Sequence, residues 1–144
     1  MARTVRQMLA GSPDVHAVAP TATVLEALQL MADKDIGAVL VLSDGALAGI
    51  FTERDYARKV ALMGRSSKDL PVRDVMSARL VTIDPTWTAD RCLALMDERR
   101  IRHLPVLEGG RVVGVVSMRA VVTAIVAEQQ FTIDSLEKYI TAGS

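Results

Sequence analysis

The sequence predicts a mixed α/β (α+β) fold built from two copies of one β-α-β-β-α unit. Residues 20–55 align without a gap with residues 85–120, at an offset of 65, and 12 of the 36 aligned positions are identical. In both copies, short apolar runs of strand length alternate with helical stripes. Because a copy of roughly 60 residues is too small to bury a core alone, we expect the two copies to pack about a pseudo-two-fold axis. This packing would form a cleft for each copy.

In the first copy, the apolar pattern and its punctuation give the elements in order. Thr23 is a good N-cap for the helix that follows it. The apolar run 38–42 is typical of a strand buried on both faces, and Ser43-Asp44-Gly45 predicts a hairpin turn after it. The predicted elements are a strand at 15–18, a helix from Val24, strands at 38–42 and 47–52, and a helix at 53–63.

The second copy repeats this order. Its predicted elements are a strand at 80–83, a helix at 88–98, strands at 103–107 and 112–117, and a helix from Met118. A looser similarity between residues 5–9 and 72–76 suggests that each half opens with the same short element. The predicted boundaries are 5–66 for the first repeat and 70–128 for the second, with a further amphipathic helix and tail at 129–144.

Composition excludes several classes of protein. The 17 Lys and Arg residues balance the 17 Asp and Glu residues, so a general binder of nucleic-acid backbones is not expected. Cys92 is the only cysteine, which excludes an intramolecular disulfide and fits a reducing compartment. The first ten residues lack the apolar run of a signal peptide, and no stretch reaches the length of a membrane span. We therefore expect a cytoplasmic protein that does not bind membranes.

One motif ends the third strand of each copy. Residues 49–55 read Gly, two apolar residues, Thr, two variable residues and Asp, and residues 114–120 keep the Gly and a Ser but end in Ala120. With residues 100–106, this pattern resembles the cystathionine-β-synthase (CBS) domain family over roughly residues 5–130. The resemblance implies a tandem CBS pair, or Bateman module, that binds an adenine nucleotide between its repeats and pairs into a homodimer.

Asp55 and Thr52 have the chemistry of a ribose and phosphate site. A carboxylate accepts two hydrogen bonds in the geometry that the vicinal hydroxyls of a ribose offer. The Thr52 hydroxyl can bridge to a phosphate, which the first amides of the following helix also favour. Gly49 allows the backbone to approach a ligand closely.

The family resemblance implies the rest of this site. The base would stack between apolar residues around Val81 and Ile101, and backbone groups near His103 would read its edge. Arg54, Arg58 and Arg102 are candidates for neutralising phosphates. The ligand would be AMP, ATP, NAD(H) or S-adenosylmethionine, which share the adenosine that Asp55 would bind.

Each of these residues also has a purely structural interpretation. Asp55 is a favoured carboxylate for the first turn of a helix, and Thr52 is an ordinary N-cap. The arginines next to Ile101, and Arg58, fit solvated surfaces equally well. His103 is expected to line the core or a pocket rather than act as a base.

The second cleft is expected to differ, because Ala120 cannot accept hydrogen bonds from a ribose. The loss of a buried bidentate partner costs on the order of 2–3 kcal/mol. We therefore expect one strong site at Asp55. The degenerate second site, with Gly37, Ser117 and Arg119, would be weak, empty or differently used.

The sequence favours a nucleotide-sensing regulator of an unknown effector protein, bound in trans, over an enzyme. With two distant histidines, it has no readable catalytic triad, metal-ligand spacing or catalytic cofactor motif. The alternative is a ligand-independent scaffold with a vestigial cleft. A small nucleotide hydrolase is a third possibility that lacks a plausible base.

Overall fold

The computed structural model describes residues 2–10 and 15–142. Residues 11–14 of the predicted first repeat and residues 143–144 of the predicted tail lie outside the described residues. The predicted α/β (α+β) fold class is confirmed. The elements are α1 Val5–Leu9, β1 Ala17–Val18, α2 Val24–Lys34, β2 Ala38–Ser43, β3 Ala46–Thr52, α3 Glu53–Tyr56, a π-helical turn Ala57–Ala61, a 3-10 turn Val72–Asp74, α4 Ala89–Arg99, β4 His103–Glu108, β5 Arg111–Ser117 and α5 Met118–Ala142.

The strands form two sheets. In one, β1 is parallel to β2 and β2 is antiparallel to β3; the other contains β4 and β5. The predicted turn after β2 is present, with Asp44 and Gly45 at φ of 51° and 81°. Glycine reaches this left-handed region without steric cost, and Asp tolerates it better than most residues.

The strand predicted at 80–83 is reduced to a single parallel bridge between Ile83 and Val106. In the first copy, the amide of Leu40 donates to the carbonyl oxygen of His16 at 3.1 Å and so extends the pairing of β1. The residue at the position of Leu40 in the second copy is Pro105, which has no N–H to donate. The ladder is therefore shorter in the second copy.

The chain forms two compact units that differ from the sequence repeats. The Asp55 unit is drawn from Asp14–Val81 and Gly110–Val112, and the Ala120 unit from Met1–Pro13, Thr82–Gly109 and Val113–Ser144. Buried apolar side chains fill both units. The core of the Asp55 unit includes Val24, Ala27, Met31, Val39, Val41, Phe51, Val60, Val72 and Val75. That of the Ala120 unit includes Val5, Ala89, Cys92, Met96, Leu104, Val106, Val116, Val121 and Ala124.

Each unit contains the short opening element that precedes the other repeat in the sequence. In the Ala120 unit, the amide of Val5 in α1 donates to the carbonyl oxygen of Trp87 at 2.8 Å. In the Asp55 unit, the amide of Val72 in the 3-10 turn donates to the carbonyl oxygen of Ala22 at 2.7 Å. Val5 and Val72 are both fully buried, so the two opening elements occupy matching positions.

Two helices differ from their predicted extents. The helix predicted at 53–63 is α-helical only to Tyr56 and continues as the π-helical turn. The second difference is in α5, which runs without interruption to Ala142, so the helix from Met118 and the predicted C-terminal helix are one element. The stretch contains neither Gly nor Pro, and nothing in it stops the helix.

Two glycines allow a close approach that recurs in both units. A Cβ atom on Gly49 would lie 2.5 Å from Met76 Sδ and 3.0 Å from the Ser77 carbonyl oxygen. In the other unit, a Cβ atom on Gly114 would lie 2.8 Å from Leu9 Cδ2. Met76 and Leu9 occupy matching positions, at the ends of the equivalent segments 72–76 and 5–9. Each glycine therefore leaves space for the opening element of its unit.

We expect Gly49→Ala to lower the free energy of unfolding by ~1–3 kcal/mol, because the added methyl overpacks this contact. Urea denaturation would measure the change. The Met76 side chain can move, but the Ser77 carbonyl oxygen accepts a hydrogen bond from the amide of Ile50 at 3.0 Å. A cycle with Met76→Ala should therefore recover only part of the loss. An unchanged denaturation midpoint for Gly49→Ala would contradict the close approach.

Candidate functional site

The junction between β3 and α3 holds Thr52 and Asp55 in a capping box. The amide of Asp55 donates to Thr52 Oγ1 at 3.1 Å, and the amide of Thr52 donates to Asp55 Oδ2 at 3.0 Å. The sequence favours this geometry, because an N-cap Thr followed three residues later by a carboxylate satisfies two amides that the helix cannot pair. The two predicted site residues are thus brought together.

The Asp55 carboxylate accepts from four donors within its unit. Its Oδ2 accepts from the amide and, at 3.1 Å, from the hydroxyl of Thr52. Its Oδ1 accepts from Ser77 Oγ at 3.0 Å and lies 3.1 Å from Lys59 Nζ. Asp55 is only 7% exposed. Because a carboxylate has about four acceptor positions, this one is filled by the protein itself.

Lys59 and Ser77 are site residues that the sequence analysis missed. Lys59 lies in the π-helical turn, and its Nζ also donates to the carbonyl oxygen of Val75 at 3.1 Å. Ser77 reaches the carboxylate because its backbone exchanges two hydrogen bonds with Ile50, at 2.8 and 3.0 Å. The spacing of four between Asp55 and Lys59 was a usable signal for an ion pair. No local pattern points to Ser77.

The second copy keeps the cap and lacks the carboxylate. The amide of Ala120 donates to Ser117 Oγ at 3.1 Å, as the amide of Asp55 does to Thr52. The residue 65 positions after Lys59 is Ala124, which is buried at 3% exposure. The position that matches Ser77, 67 residues earlier, is Ala10. All three members of the Asp55–Lys59–Ser77 cluster are therefore matched by alanine in the Ala120 unit.

The other predicted residues of the Asp55 unit lie at different depths. Arg54 and Arg58 are exposed, on α3 and the π-helical turn. Val81 and Gly37 are half-buried, and the Gly37 carbonyl oxygen accepts from the amide of Glu53 at 3.1 Å. The ligand contacts of all four residues stay predictions.

The remaining predicted residues belong to the Ala120 unit. Ile101 and His103 are half-buried, whereas Arg102 is exposed just before β4 and Arg119 is exposed near the start of α5. Burial lowers the pKa of the His103 imidazole, and the adjacent Arg102 lowers it further. The neutral imidazole is therefore favoured at pH 7, which suits hydrogen bonding. The parts of these residues, and of Ser117, in a ligand site stay predictions.

Other reactive groups are buried or dispersed. Burial raises the pKa of the Cys92 thiol to about 11, against an opposing effect of Arg91, so the thiolate is scarce at neutral pH. Arg91 stacks on the half-buried Trp87 with its guanidinium carbon 3.7 Å from the ring centroid. Within residues 2–10 and 15–142, no group of three or more His, Cys, Asp or Glu side chains could hold a metal ion.

The comparison with protein-family models decides the classification. The CBS domain model matches residues 5–62 and 72–127. The chain belongs to the CBS-domain family. Pairs of CBS domains are in general regulatory, ligand-binding modules; the domains generally bind adenine nucleotides and form oligomers, and stand-alone pairs are not typically enzymes. The internal repeat and the tandem CBS architecture are thereby confirmed.

Relatives cover most of the chain. The mitochondrial CBS domain-containing protein CBSX3 of Arabidopsis thaliana is 41% identical over 126 residues, which is 84% of this chain and 61% of the plant protein. This chain therefore matches about three fifths of that relative's length. A CBS-domain protein from Burkholderia ambifaria MC40-6 is 46% identical, with a TM-score of 0.84 over 90% of this chain and 98% of its own.

One further structure differs in its assembly. The CBS-CP12 protein from bloom-forming cyanobacteria, which is hexameric, is 26% identical, with a TM-score of 0.77 over 85% of this chain and 72% of its own. As for membranes, the helices found in the described residues are all too short or too polar to span a bilayer.

The two junctions make opposite predictions for stability. Asp55→Ala should lower the free energy of unfolding by ~1–3 kcal/mol, because it leaves the amide of Thr52 and the hydroxyl of Ser77 without their acceptor. Ala120→Asp should raise it by ~0.5–1 kcal/mol, because it completes a capping box with Ser117. Urea denaturation of both variants at pH 7 is the measurement. A loss in both variants would contradict the equivalence of the two junctions.

Proposed function

We propose that this chain is a regulatory module that senses an adenine nucleotide and modulates a partner protein in trans. The ligand is AMP, ATP or a nicotinamide dinucleotide, bound through the Asp55 unit. The observation that carries the proposal is the buried carboxylate of Asp55, held by the capping box at the position where the family motif requires it. The cleft between the repeats is its proposed location.

The chemistry of the junction suits the ribose and the phosphate. A carboxylate is a strong acceptor for a ribose hydroxyl, which here would have to replace one of the donors that already contact Asp55. Arg54 and Arg58 are exposed and flank the carboxylate in the sequence, so they supply positive charge for a phosphate. Val81 and Ile101 would contact the base, with Arg102 and His103 completing the site, as the family resemblance implies.

One ligand per chain is the expected stoichiometry. Ala120 has no oxygen for the ribose, and the positions that match Lys59 and Ser77 are alanine as well. The second site, with Gly37, Ser117 and Arg119, is therefore proposed to be weak, empty or used for a different ligand. No catalytic step, metal or cofactor is part of the proposal, and the protein is expected to act in the cytoplasm.

A second candidate function is a scaffold that acts without a ligand. The observation in its favour is that the donors of the Asp55 unit already fill the carboxylate, which is what a purely structural carboxylate requires. On this hypothesis, the exposed apolar side chains on α5 would provide the interaction surface. Nucleotide binding separates the two functions.

Titration calorimetry with AMP, ATP and NADH tests the sensor. We expect one site per chain in the wild type and a loss of affinity of at least ~10-fold in Asp55→Asn, which keeps the size of the side chain and removes its charge. Asp74→Asn is the matched control, since Asp74 is an exposed carboxylate of the same unit. The absence of binding with all three ligands would contradict the nucleotide-sensor hypothesis and favour the scaffold hypothesis.

The proposed homodimer has a candidate surface on α5. Five apolar side chains of this helix, each 43–69% exposed, recur at the spacing at which helices pair. They are Val122, Val126, Ile133, Leu136 and Ile140. Gln129 lies between Val126 and Ile133 at the same spacing, and its side-chain amide is positioned to hydrogen-bond with Gln129 of a second copy. We therefore propose that the stripe pairs with the same stripe of a second copy.

Sedimentation velocity tests this pairing. Leu136→Glu should shift the dimer toward monomer, because it puts a charge into the apolar seam. Ser135→Glu, the exposed neighbour outside the stripe, should leave the dimer intact. Dissociation of both variants to the same extent, or of neither, would contradict a dimer held by the stripe, and a hexamer would contradict the proposed state.

A further inference from the structure

The carboxylate that is proposed to bind the ribose is already occupied. Thr52 supplies two donors to Oδ2 from within the motif. On the other oxygen, Oδ1, the acceptor positions are taken by Ser77 Oγ and Lys59 Nζ. A ribose hydroxyl can therefore donate to Oδ1 only by replacing one of these two groups.

Ser77 is the group that yields more readily. The Lys59 ammonium carries a charge opposite to that of the carboxylate, so its contact includes a Coulomb attraction that the Ser77 hydroxyl lacks. Its ammonium group is also tied to the carbonyl oxygen of Val75 at 3.1 Å. The Ser77 hydroxyl is neutral, and rotation about its own side-chain bond releases it while the two backbone hydrogen bonds to Ile50 stay in place.

The internal repeat indicates that these residues act together. In the Ala120 unit, Asp55, Lys59 and Ser77 are matched by Ala120, Ala124 and Ala10. The cap at Ser117 persists in the Ala120 unit, so the alanines replace the carboxylate and its two partners and leave the cap itself in place. The simultaneous replacement of all three fits a cluster whose members serve one site.

We infer that Ser77 is an internal competitor for the nucleotide: its hydroxyl occupies Asp55 Oδ1 in the free protein, and a ribose hydroxyl displaces it on binding. Ser77 thereby sets the affinity and selects ligands with a hydroxyl donor at this position. Lys59 keeps its contact with the carboxylate in both states. This inference rests on the proposed function of the Asp55 site.

Calorimetry with AMP and with 2′,3′-dideoxy-AMP, which lacks both ribose hydroxyls, tests the competition. Ser77→Ala should bind AMP ~2- to 10-fold more tightly than the wild type, because no internal donor has to leave. The affinity for 2′,3′-dideoxy-AMP should not change, since this ligand has no hydroxyl to take the freed position. Ser77→Thr retains the hydroxyl and should bind AMP as the wild type does.

The outcomes separate the two proposals. Equal changes of affinity for both ligands, or unchanged or weaker AMP binding in Ser77→Ala, would overturn the competition and leave the nucleotide site standing. Binding of neither ligand by any variant would overturn the proposed function and this inference with it. Thermal melting of the free proteins confirms that Ser77→Ala is folded, with a melting temperature below that of the wild type.

Discussion

The burial of the Asp55 carboxylate constrains the whole Asp55 unit. A charged group that leaves water loses several kcal/mol unless hydrogen bonds and an opposite charge replace its hydration. Here the replacements come from three separate parts of the chain: the end of β3, the π-helical turn, and the segment after the 3-10 turn. Each must be in place for the buried carboxylate to keep its hydrogen-bond donors. The cluster therefore fixes the register of these segments as well as forming the candidate site.

The repeat imposes a second constraint, on the short opening elements. In both units, the first amide of the opening element donates a hydrogen bond to a carbonyl oxygen in the loop before α2 or α4. The last residue of the element packs against a glycine, which leaves space for it. The two glycines can be read from the repeat, since Gly49 and Gly114 align. Which opening element joins which unit cannot be read from it, because the similarity between 5–9 and 72–76 says only that they are equivalent.

Local patterns predicted most of the fold, and non-local contacts account for the differences. Thr23 and Thr88 begin α2 and α4 as N-caps, and β2 and β4 follow the apolar runs. The strand at 80–83 was wrong as a full strand, because Pro105 on its partner cannot donate a hydrogen bond. At the site, Asp55 and Thr52 were predicted from a motif seven residues long. Ser77 lies 22 residues away and reaches the carboxylate only through pairing with β3, which no local pattern encodes.

The alanines of the second copy bear on whether the Asp55 cluster is structural or functional. The Ala120 unit has the same cap, the same opening element and a buried apolar core with alanine at all three positions. The architecture therefore does not need the buried carboxylate or its partners. The Lys59 side chain is 43% exposed, and solvent-screened ion pairs contribute little, so stability gives little reason to keep this one. A polar cluster that the fold can do without, present in one copy only, is more readily explained by a ligand that needs it. This argument favours the nucleotide sensor over the scaffold.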